Sequence, residues 1–424
     1  MTPSSPPFYA SPVTVCFYLP SITNSAVFAT LKIYHVESGN FVDHGSQTNF
    51  ANKTVCTQVT SFSTFVINQN ATPTATDATV SGQIVDNTGT PVEGAAVRMS
   101  GSQSRLTITD TQGNYHFDDV ETNGLYVLTP SRSNFTFSPT QRSFSQLGAH
   151  TEATFTAAAN SGGLNPLDTT EYFVRQQYLD FLGREPDEAG FNFWVSNIDS
   201  CGVDAGCREV KRVDTSAAFF LSIEFQQTGY LVYRAYESAY GNLDSTPVPM
   251  KLSDFKPDTQ EISDGVVVLQ SGWPQRLENN KRAFMDEFVQ RPRFTSAYPA
   301  TMRPVQFVDK LFGNARVPST DPDYAAALTD FGAATDTSNL AARARVLRRV
   351  AENSTLTQQQ FNPAFVLMEY FGYLQRDPNS GRDADFTGYD FWLEKLNRFN
   401  GNFQNAEMVK AFVSSTEYRG RFPR

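Results

Sequence analysis

The hydrophobic pattern of this chain changes period once, between about residues 157 and 169. Upstream, short segments such as VTVCFYL and RLTITDTQG alternate apolar and polar residues, which predicts β-strands separated by Gly, Asn or Asp turns. Downstream, apolar residues recur at helical spacing, as in Val174, Tyr178, Phe181 and Leu182. The pattern predicts a multidomain protein: two N-terminal all-β modules of the β-sandwich type, followed by a C-terminal all-α domain.

Polar segments without an apolar period indicate the domain boundaries. We expect a β-rich module at 1–69, a linker at 70–79, a β-sandwich at 80–157, a linker at 158–168 and a helical domain at 169–424. The first module has few strands and therefore a thin core. We expect it to be the end of a larger sandwich.

Charge and hydropathy argue against two classes of partner. The 424 residues carry a formal net charge of −10, whereas binding to a phosphate backbone requires clustered Lys and Arg, so we expect no nucleic-acid partner. No run approaches the roughly 20 apolar residues that span a bilayer, so we expect no transmembrane segment. The first residues, MTPSSPPFYASP, do not resemble a signal peptide, so either the chain is cytosolic or such a peptide has been removed; we expect the second.

The four cysteines form two local pairs in the sequence. Cys16 and Cys56 lie in two predicted strands that can pair in one sheet, and Cys201 and Cys207 bracket the loop CGVDAGC. This arrangement fits two disulfides and an oxidising compartment, which favours an extracellular or cell-surface location. The alternative is four unpaired thiols. A zinc site is disfavoured because no CxxC or nearby His accompanies them.

Residues 80–157 carry a specific order of segments. SGQIVDNTGTPVEGAAVRM is followed by TDTQGNYHFDDV and then by YVLTPSRSNFTFSPTQRSF. This order resembles the carboxypeptidase regulatory-like family, a transthyretin-like β-sandwich. The resemblance implies a carbohydrate-binding-like fold that serves as a rigid spacer or, alternatively, binds sugar. We expect Tyr115 and Tyr126 to be exposed turn aromatics suited to sugar binding.

The helical region repeats itself. EYFVRQQYLDFLGREPDEAGFNFW returns, with an insertion, as PAFVLMEYFGYLQRDPNSGRDADFTGYDFW, and AFFLSIEF returns as AFVSSTEY. A degenerate middle copy gives three expected units, at 169–230, 283–361 and 362–424. The pattern resembles domain-of-unknown-function family 4214, found in secreted and surface-associated bacterial proteins such as those of Acidobacteria. The resemblance implies no reaction. The motif residues are Arg184, Pro186, Asp187, Gly190, Trp194, Gly388 and Trp392.

These motif residues have a structural explanation. We expect Pro186 to end the first helix and Asp187 to cap the next one, where its charge complements the positive helix end. Gly190 permits close backbone approach, and Trp194 is expected to fill the space between helices.

No catalytic site is predicted. The four histidines, His35, His44, His116 and His150, all precede Gly162, so the helical domain cannot build a site that needs His. Paired carboxylates capable of glycoside hydrolysis remain an alternative, although no facing pair stands out. No phosphate-binding glycine loop is present.

One acidic segment is a candidate calcium loop. In RDPNSGRDADFTG, four side chains could supply oxygen ligands: Asp377, Asn379, Asp383 and Asp385. The segment departs from an EF-hand, because its glycine falls one position early and Gly388 occupies the place of the bidentate glutamate. The alternative is a solvated acidic loop. No cofactor is required, and calcium is the one candidate.

Taken together, the sequence favours a non-catalytic extracellular protein of structural or adhesive function. The β modules would be spacers, and the helical repeats would mediate self-association, as in a filament, or contact with other surface proteins, the envelope or the matrix. The first alternative is a carbohydrate-binding surface protein with a polysaccharide partner. The second is an accessory region of a secreted hydrolase.

Overall fold

A computed structural model describes residues 12–37, 40–60, 65–69, 78–122, 124–144, 147, 150–160 and 163–422. By its internal contacts the chain forms two compact units, which meet in sequence at Leu164 and Asn165. The change of hydrophobic period therefore marks the division between a strand-rich unit and a helical one. The expected linker at 70–79 lies almost entirely outside the described residues.

The first part of the strand-rich unit contains six short strands and one helix. They are β1 (Val13–Tyr18), α1 (Ser25–Ala29), β2 (Leu31–Glu37), β3 (Asn40–Asp43), β4 (Gln47–Asn49), β5 (Thr54–Val59) and β6 (Phe65–Gln69). The strands form two antiparallel three-stranded sheets, ordered β1-β5-β4 and β3-β2-β6. Their shared core of buried residues is small, as the sequence predicts, and consists of Phe28, Leu31, Ile33 and Val55.

The second part of this unit is larger. Its strands are β7 (Ala78–Asp86), β8 (Ala96–Gly101), β9 (Arg105–Ile108), β10 (Asn114–Val120), β11 (Tyr126–Ser131), β12 (Phe135–Ser138), β13 (Arg142–Phe144), β14 (His150–Glu152) and β15 (Phe155–Ala159). One sheet has the order β10-β7-β15-β12, with β14 also paired to β7, and the other has the order β13-β11-β8-β9. Both contribute to one core, as in a β-sandwich.

The turn before β10 shows why glycine is required there. Gly113 has a φ of 72°, and a Cβ atom at this position would collide with the carbonyl oxygen of Ile84. Asp110 closes the same turn, because its side chain accepts hydrogen bonds from the amides of Gln112 and Asn114, both at 2.8 Å. The turn directs Tyr115 and Phe117 into the core, where both are buried.

The helical unit begins with a 3-10 turn at Pro166–Asp168 and contains sixteen α-helices in its described residues. They are α2 (Thr170–Gln177), α3 (Glu188–Asp199), α4 (Ala205–Leu221), α5 (Ile223–Gln227), α6 (Gly229–Tyr240), α7 (Leu252–Ser263), α8 (Trp273–Phe288), α9 (Pro292–Ala297), α10 (Pro304–Asn314), α11 (Pro322–Thr329), α12 (Leu340–Ala351), α13 (Ser354–Gln359), α14 (Phe361–Glu369), α15 (Thr387–Arg398), α16 (Met408–Ser414) and α17 (Thr416–Gly420). Single π-helical turns extend α2 and α14, at Tyr178–Leu182 and Tyr370–Leu374. None of the helices in the described ranges has the length and apolar composition needed to cross a bilayer.

The helices follow one another in four successive sets of four, each closed by a helix of five or six residues. The third residue of each closing helix is buried: Phe225, Phe294, Leu356 and Tyr418. The first helix of each set, with its π-turn where there is one, is followed within two residues by a residue with positive φ: Gly183, Gly241, Arg316 and Gln375, with φ of 65°, 63°, 53° and 54°. Gly183 and Gln375 are in the left-handed helical conformation, which stops a helix by satisfying its last carbonyl groups locally.

The sets also pack in a regular way. The third helix of the first set, α4, contacts α16, the third helix of the last set, and α8 contacts α12 in the same manner between the two middle sets. The opening elements are paired likewise, because the two π-turns contact each other and α6 contacts α10. The first set therefore packs with the fourth, and the second packs with the third.

Candidate functional site

The most extensive polar contact of the first set joins its opening segment to its closing helix. Arg184 donates two hydrogen bonds to Glu224, from Nε to Oε1 at 2.7 Å and from Nη2 to Oε2 at 2.8 Å. Glu224 is 4% exposed, so this is a largely desolvated ion pair. Nη1 of Arg184 also donates to the carbonyl of Glu185 at 3.0 Å and lies 3.4 Å from Asp187 Oδ2.

Asp187, Gly190 and Tyr178 form the second part of this motif. Asp187 caps α3, accepting from the Gly190 amide at 2.9 Å. The Tyr178 hydroxyl lies so close to Gly190 that a Cβ atom there would collide with it. The Tyr178 ring packs edge-on against Phe219 with centroids 4.7 Å apart, and burial raises the pKa of its hydroxyl. The prediction that Pro186 ends the first helix is wrong, because this helix already ends at Gly183, which is in the left-handed conformation.

The fourth set contains corresponding contacts, except that no side chain caps α15. Arg376 donates from Nε to Glu417 Oε1 at 2.6 Å and from Nη2 to Asp383 Oδ2 at 2.7 Å. A Cβ atom on Gly388 would lie 2.7 Å from the Tyr370 hydroxyl. The closing helices of the first and fourth sets are both capped by serine, Ser222 accepting from the Phe225 amide and Ser415 from the Tyr418 amide.

The aromatic pairs that follow the motif glycines are partly on the surface. Phe193 is 61% exposed and packs edge-on against Trp194, with centroids 4.9 Å apart; Phe391 is 55% exposed and packs against Trp392 at 5.0 Å. Both tryptophans are only half-buried, although each also contacts a phenylalanine of its own set. The expectation that Trp194 fills the space between helices is therefore only partly met, because Phe191, Val195 and Ile198 form the buried stripe of α3.

The side chains expected to bind calcium have other partners in this structure. Asp377 Oδ1 accepts from the Leu252 amide at 2.7 Å, Asp383 pairs with Arg376, and Asp385 Oδ1 accepts from the Thr387 amide at 2.9 Å. Asn379 lies in the turn between them. Within the described residues, no three His, Cys, Asp or Glu side chains are grouped so as to hold a metal ion. Calcium binding stays a prediction.

Both cysteine pairs are joined as disulfides. Cys16 and Cys56 are directly opposite one another on β1 and β5, with an S–S distance of 2.10 Å, and Cys201 and Cys207 are joined at 1.95 Å.

His35 is buried and stacks on Phe65 with centroids 4.8 Å apart, while the rings of His35 and His44 are 5.9 Å apart. His116 and His150 are exposed.

Two tyrosines expected at the surface are part of the core. Tyr115 is 2% exposed and its hydroxyl donates to the carbonyl of Ala153; Tyr126 is 1% exposed and donates to the carbonyl of Glu121 at 2.9 Å. They cannot serve as sugar-binding aromatics. Both tyrosines lie beside turns, which suggested that they were exposed. In the strands, however, the alternation of side chains places them on the core side.

Sequence reasoning did not single out Glu224 and Glu417, the acceptors of the two arginine pairs, or the three buried carboxylates Asp180, Glu237 and Glu369. For Glu224 and Glu417 the sequence does carry a signal, because Glu recurs in SIEF and STEY and the arginine recurs with it. Burial raises the pKa of Asp180 and Glu369, and it raises that of Glu237 to about 7. Nothing in the local sequence distinguishes these three from surface carboxylates.

Comparison with known families agrees with the two resemblances. Residues 79–158 match the carboxypeptidase regulatory-like domain, and residues 160–229 match the domain of unknown function DUF4214. The chain thus carries a carboxypeptidase regulatory-like domain followed by a DUF4214 region, as the sequence predicts. The second match covers the first set of four helices, α2 to α5. A search among curated proteins finds no match to the chain.

Proposed function

We propose that this chain is a non-catalytic extracellular protein of structural or adhesive function, in which the β modules are spacers and the helical unit binds other copies of itself. The single observation that carries the proposal is the presence of two exposed phenylalanine–tryptophan pairs at corresponding positions, Phe193–Trp194 and Phe391–Trp392. Aromatic side chains that remain partly in water are the groups most enriched at the centres of protein interfaces.

Two such pairs on one molecule make it bivalent. Phe193 lies on α3 of the first set and Phe391 on α15 of the fourth, each five or six residues into the second helix of its set. A molecule with two equivalent contact surfaces can join copies into chains or bind a matrix with avidity. Filament formation and contact with the envelope or with other surface proteins follow from the same bivalence. The two disulfides support an oxidising, extracellular location.

The proposal includes a fourfold internal repeat. The four sets share the order of their helices, the residue of positive φ after the first helix and the buried third residue of the closing helix. We infer that all four sets derive from the DUF4214 module that matches the first one. This division gives modules at about 169–228, 229–298, 304–360 and 361–422, in place of the three units expected from sequence. The second and third modules lack the Arg–Glu pair, which explains why sequence comparison alone does not separate them.

The proposal is tested by measuring self-association of the full chain. Sedimentation velocity over a wide range of concentration should show oligomers or filaments, and Phe193→Ser with Phe391→Ser should abolish them. Val210→Ser is the matched control, because Val210 is 56% exposed on α4 but belongs to neither pair. A chain that stays monomeric at high concentration and binds no envelope fraction would overturn the proposal. Loss of assembly in the Val210 variant as well would show that general hydrophobicity is responsible.

A second candidate function, carbohydrate binding, is favoured by a groove of about 470 Å³ at the start of α8. Half-buried Trp273 lines it together with Gln275, Arg276, Asn279 and Asn280. An aromatic face beside amide and guanidinium groups suits a sugar ring and its hydroxyls. A glycan array, with and without calcium, should show hits that Trp273→Ala removes. An array without hits would rule out carbohydrate binding.

An accessory role in a secreted hydrolase would gain support only from polysaccharide cleavage that a carboxylate substitution abolishes.

A further inference from the structure

A cavity of about 310 Å³ lies between α4 and α16, the helices through which the first and fourth sets pack. Four cationic side chains line it: Arg208, Arg212, Lys410 and Arg419. Two carboxylates, Asp168 and Glu209, also line it, so the cavity has two more positive than negative groups. This excess occurs in a chain whose formal net charge is −10.

Arg212 is the central feature of the cavity. Its guanidinium lies 3.8 Å from the centroid of the Phe173 ring, and Nη2 donates to the carbonyl of Leu167 at 2.6 Å. Among the described residues it forms no salt bridge with a carboxylate. Its pKa is lowered to about 10, chiefly by burial and also by the charges of Arg208 and Arg419, while Tyr418 and Asp168 oppose the shift. A half-buried cation that has no direct salt bridge costs free energy, which an anion in the cavity would offset.

The other three cations are paired but accessible. Arg419 Nη1 lies 2.9 Å from Asp168, Lys410 Nζ lies 2.9 Å from Glu209, and Arg208 Nη2 lies 3.2 Å from Asp199. Their side chains are 35%, 48% and 29% exposed. Ion pairs this exposed contribute little to stability, so a side chain such as Lys410 can turn toward a ligand at small cost.

We propose that this cavity binds a small acidic ligand through its carboxylate or sulfate group, with Arg212 as the fixed donor and Lys410 and Arg419 as adjustable ones. Its volume is near the lower end of the range for ligand pockets and suits one acidic sugar or a small organic acid. The planar guanidinium of Arg212 can donate two parallel hydrogen bonds to an oxyanion. Anion binding here does not depend on self-association through the aromatic pairs.

The test uses calorimetric titration of the full chain at low ionic strength with three probes: trigalacturonate, neutral galactotriose and sodium sulfate. We expect saturable binding of trigalacturonate, of sulfate or of both, and none of galactotriose. Binding of sulfate as well as the saccharide would show that the anionic group suffices, and binding of trigalacturonate alone would assign the ligand as an acidic sugar. Absence of saturable binding by both anions, or equal binding of galactotriose, would overturn the proposal.

Charge variants separate a built site from general electrostatic attraction. Lys410→Gln should weaken anion binding about fivefold, and Glu209→Gln, which frees Lys410 from its partner, should strengthen it by a similar factor. Lys395→Gln is the matched control, because Lys395 also pairs with a single glutamate, Glu407, at 3.7 Å but lies outside the cavity. Equal weakening by the Lys410 and Lys395 substitutions would contradict the proposal. Arg212→Gln should abolish binding, and its circular dichroism spectrum shows whether the helical unit stays folded.

Discussion

Arg184 and Glu224 are joined by two parallel hydrogen bonds across a separation of 40 residues. Because Glu224 is almost fully buried, Glu224→Gln would leave the guanidinium in a poorly solvated place, with only the longer contact to Asp187, at 3.4 Å, to balance its charge. We expect the free energy of unfolding to fall by about 3 kcal/mol, measured by urea denaturation. The control is Glu394→Gln, which removes an exposed i,i+4 pair with Arg398 and should cost no more than about 0.5 kcal/mol. Equal losses in the two variants would show that the first pair has no special role.

Gly190→Ala should destabilise the helical unit, because the new methyl group collides with the Tyr178 hydroxyl. The expected loss is about 1–3 kcal/mol, as for other overpacked sites, and Tyr178→Phe in the same chain should recover part of it. Gly313→Ala provides the control: Gly313 lies in α10 with no atom near the position of a Cβ, so alanine there should be neutral or stabilising by up to about 1 kcal/mol. Thermal unfolding of the three variants measures these differences. If Gly190→Ala and Gly313→Ala changed the stability by the same amount, the close approach of the Tyr178 hydroxyl to Gly190 would be refuted.

The stability of the helical unit should fall as the pH rises through the range of Glu237. Burial raises the pKa of this carboxyl from 4.5 to about 7, while Arg316, with Nη2 3.3 Å from Oε1, opposes the shift. Gln360 also faces the group, donating to Oε1 at 3.3 Å. A raised pKa means that the folded state holds more protons than the unfolded state between pH 4.5 and 7, so stability is present below this window and lost across it.

The corresponding experiment compares urea unfolding of the wild type and Glu237→Gln between pH 5 and pH 8. The variant cannot ionise, so its stability relative to the wild type should increase with pH, by roughly 3 kcal/mol at most. Burial also raises the pKa of Asp180 and Glu369, so these groups too make stability fall as the pH rises. They do so equally in both proteins, and their effect cancels when the two free energies of unfolding are subtracted. A difference that does not change with pH would contradict the assignment.

Removal of the two disulfides should have unequal effects. Cys16 and Cys56 are 40 residues apart in sequence, whereas Cys201 and Cys207 are six apart. A cross-link that closes a longer loop restricts the unfolded chain more, and the expected loss for Cys16→Ser with Cys56→Ser is about 4 kcal/mol. Because the first β region has a small core, limited proteolysis should cleave it first in this variant. Cys201→Ser with Cys207→Ser should leave that region resistant, and the reverse order of cleavage would disprove the expectation.

The sequence predicts the larger features of the fold well because they depend on local patterns. The change of period separates strands from helices, and turn residues such as Asp110 and Gly113 act within a few positions. Asp187 likewise caps a helix that begins at the next residue. Each of these interactions is completed by neighbours in the chain, so a short segment contains the information needed to predict it.

Features that depend on distant residues are harder to predict. Tyr115 is buried because β10 places it beneath Ala153, and Glu237 is buried because α6 lies under α10 and α12. The division into four sets is similarly hidden, since Phe294 and Leu356 occupy equivalent places without sharing a recognisable motif. Packing conserves the position of an apolar residue more than its identity, and sequence comparison detects identity.

The first and last turns of the helical unit are tied together. The side-chain amide of Asn165 donates to the carbonyls of Arg419 and Phe422, at 2.9 and 3.2 Å, and the ring of Tyr172 packs edge-on against Phe422. A pulling force applied at the two ends of this unit would therefore act first across this short junction and peel apart a few hydrogen bonds. The packed helices behind it would bear load only after the junction had opened.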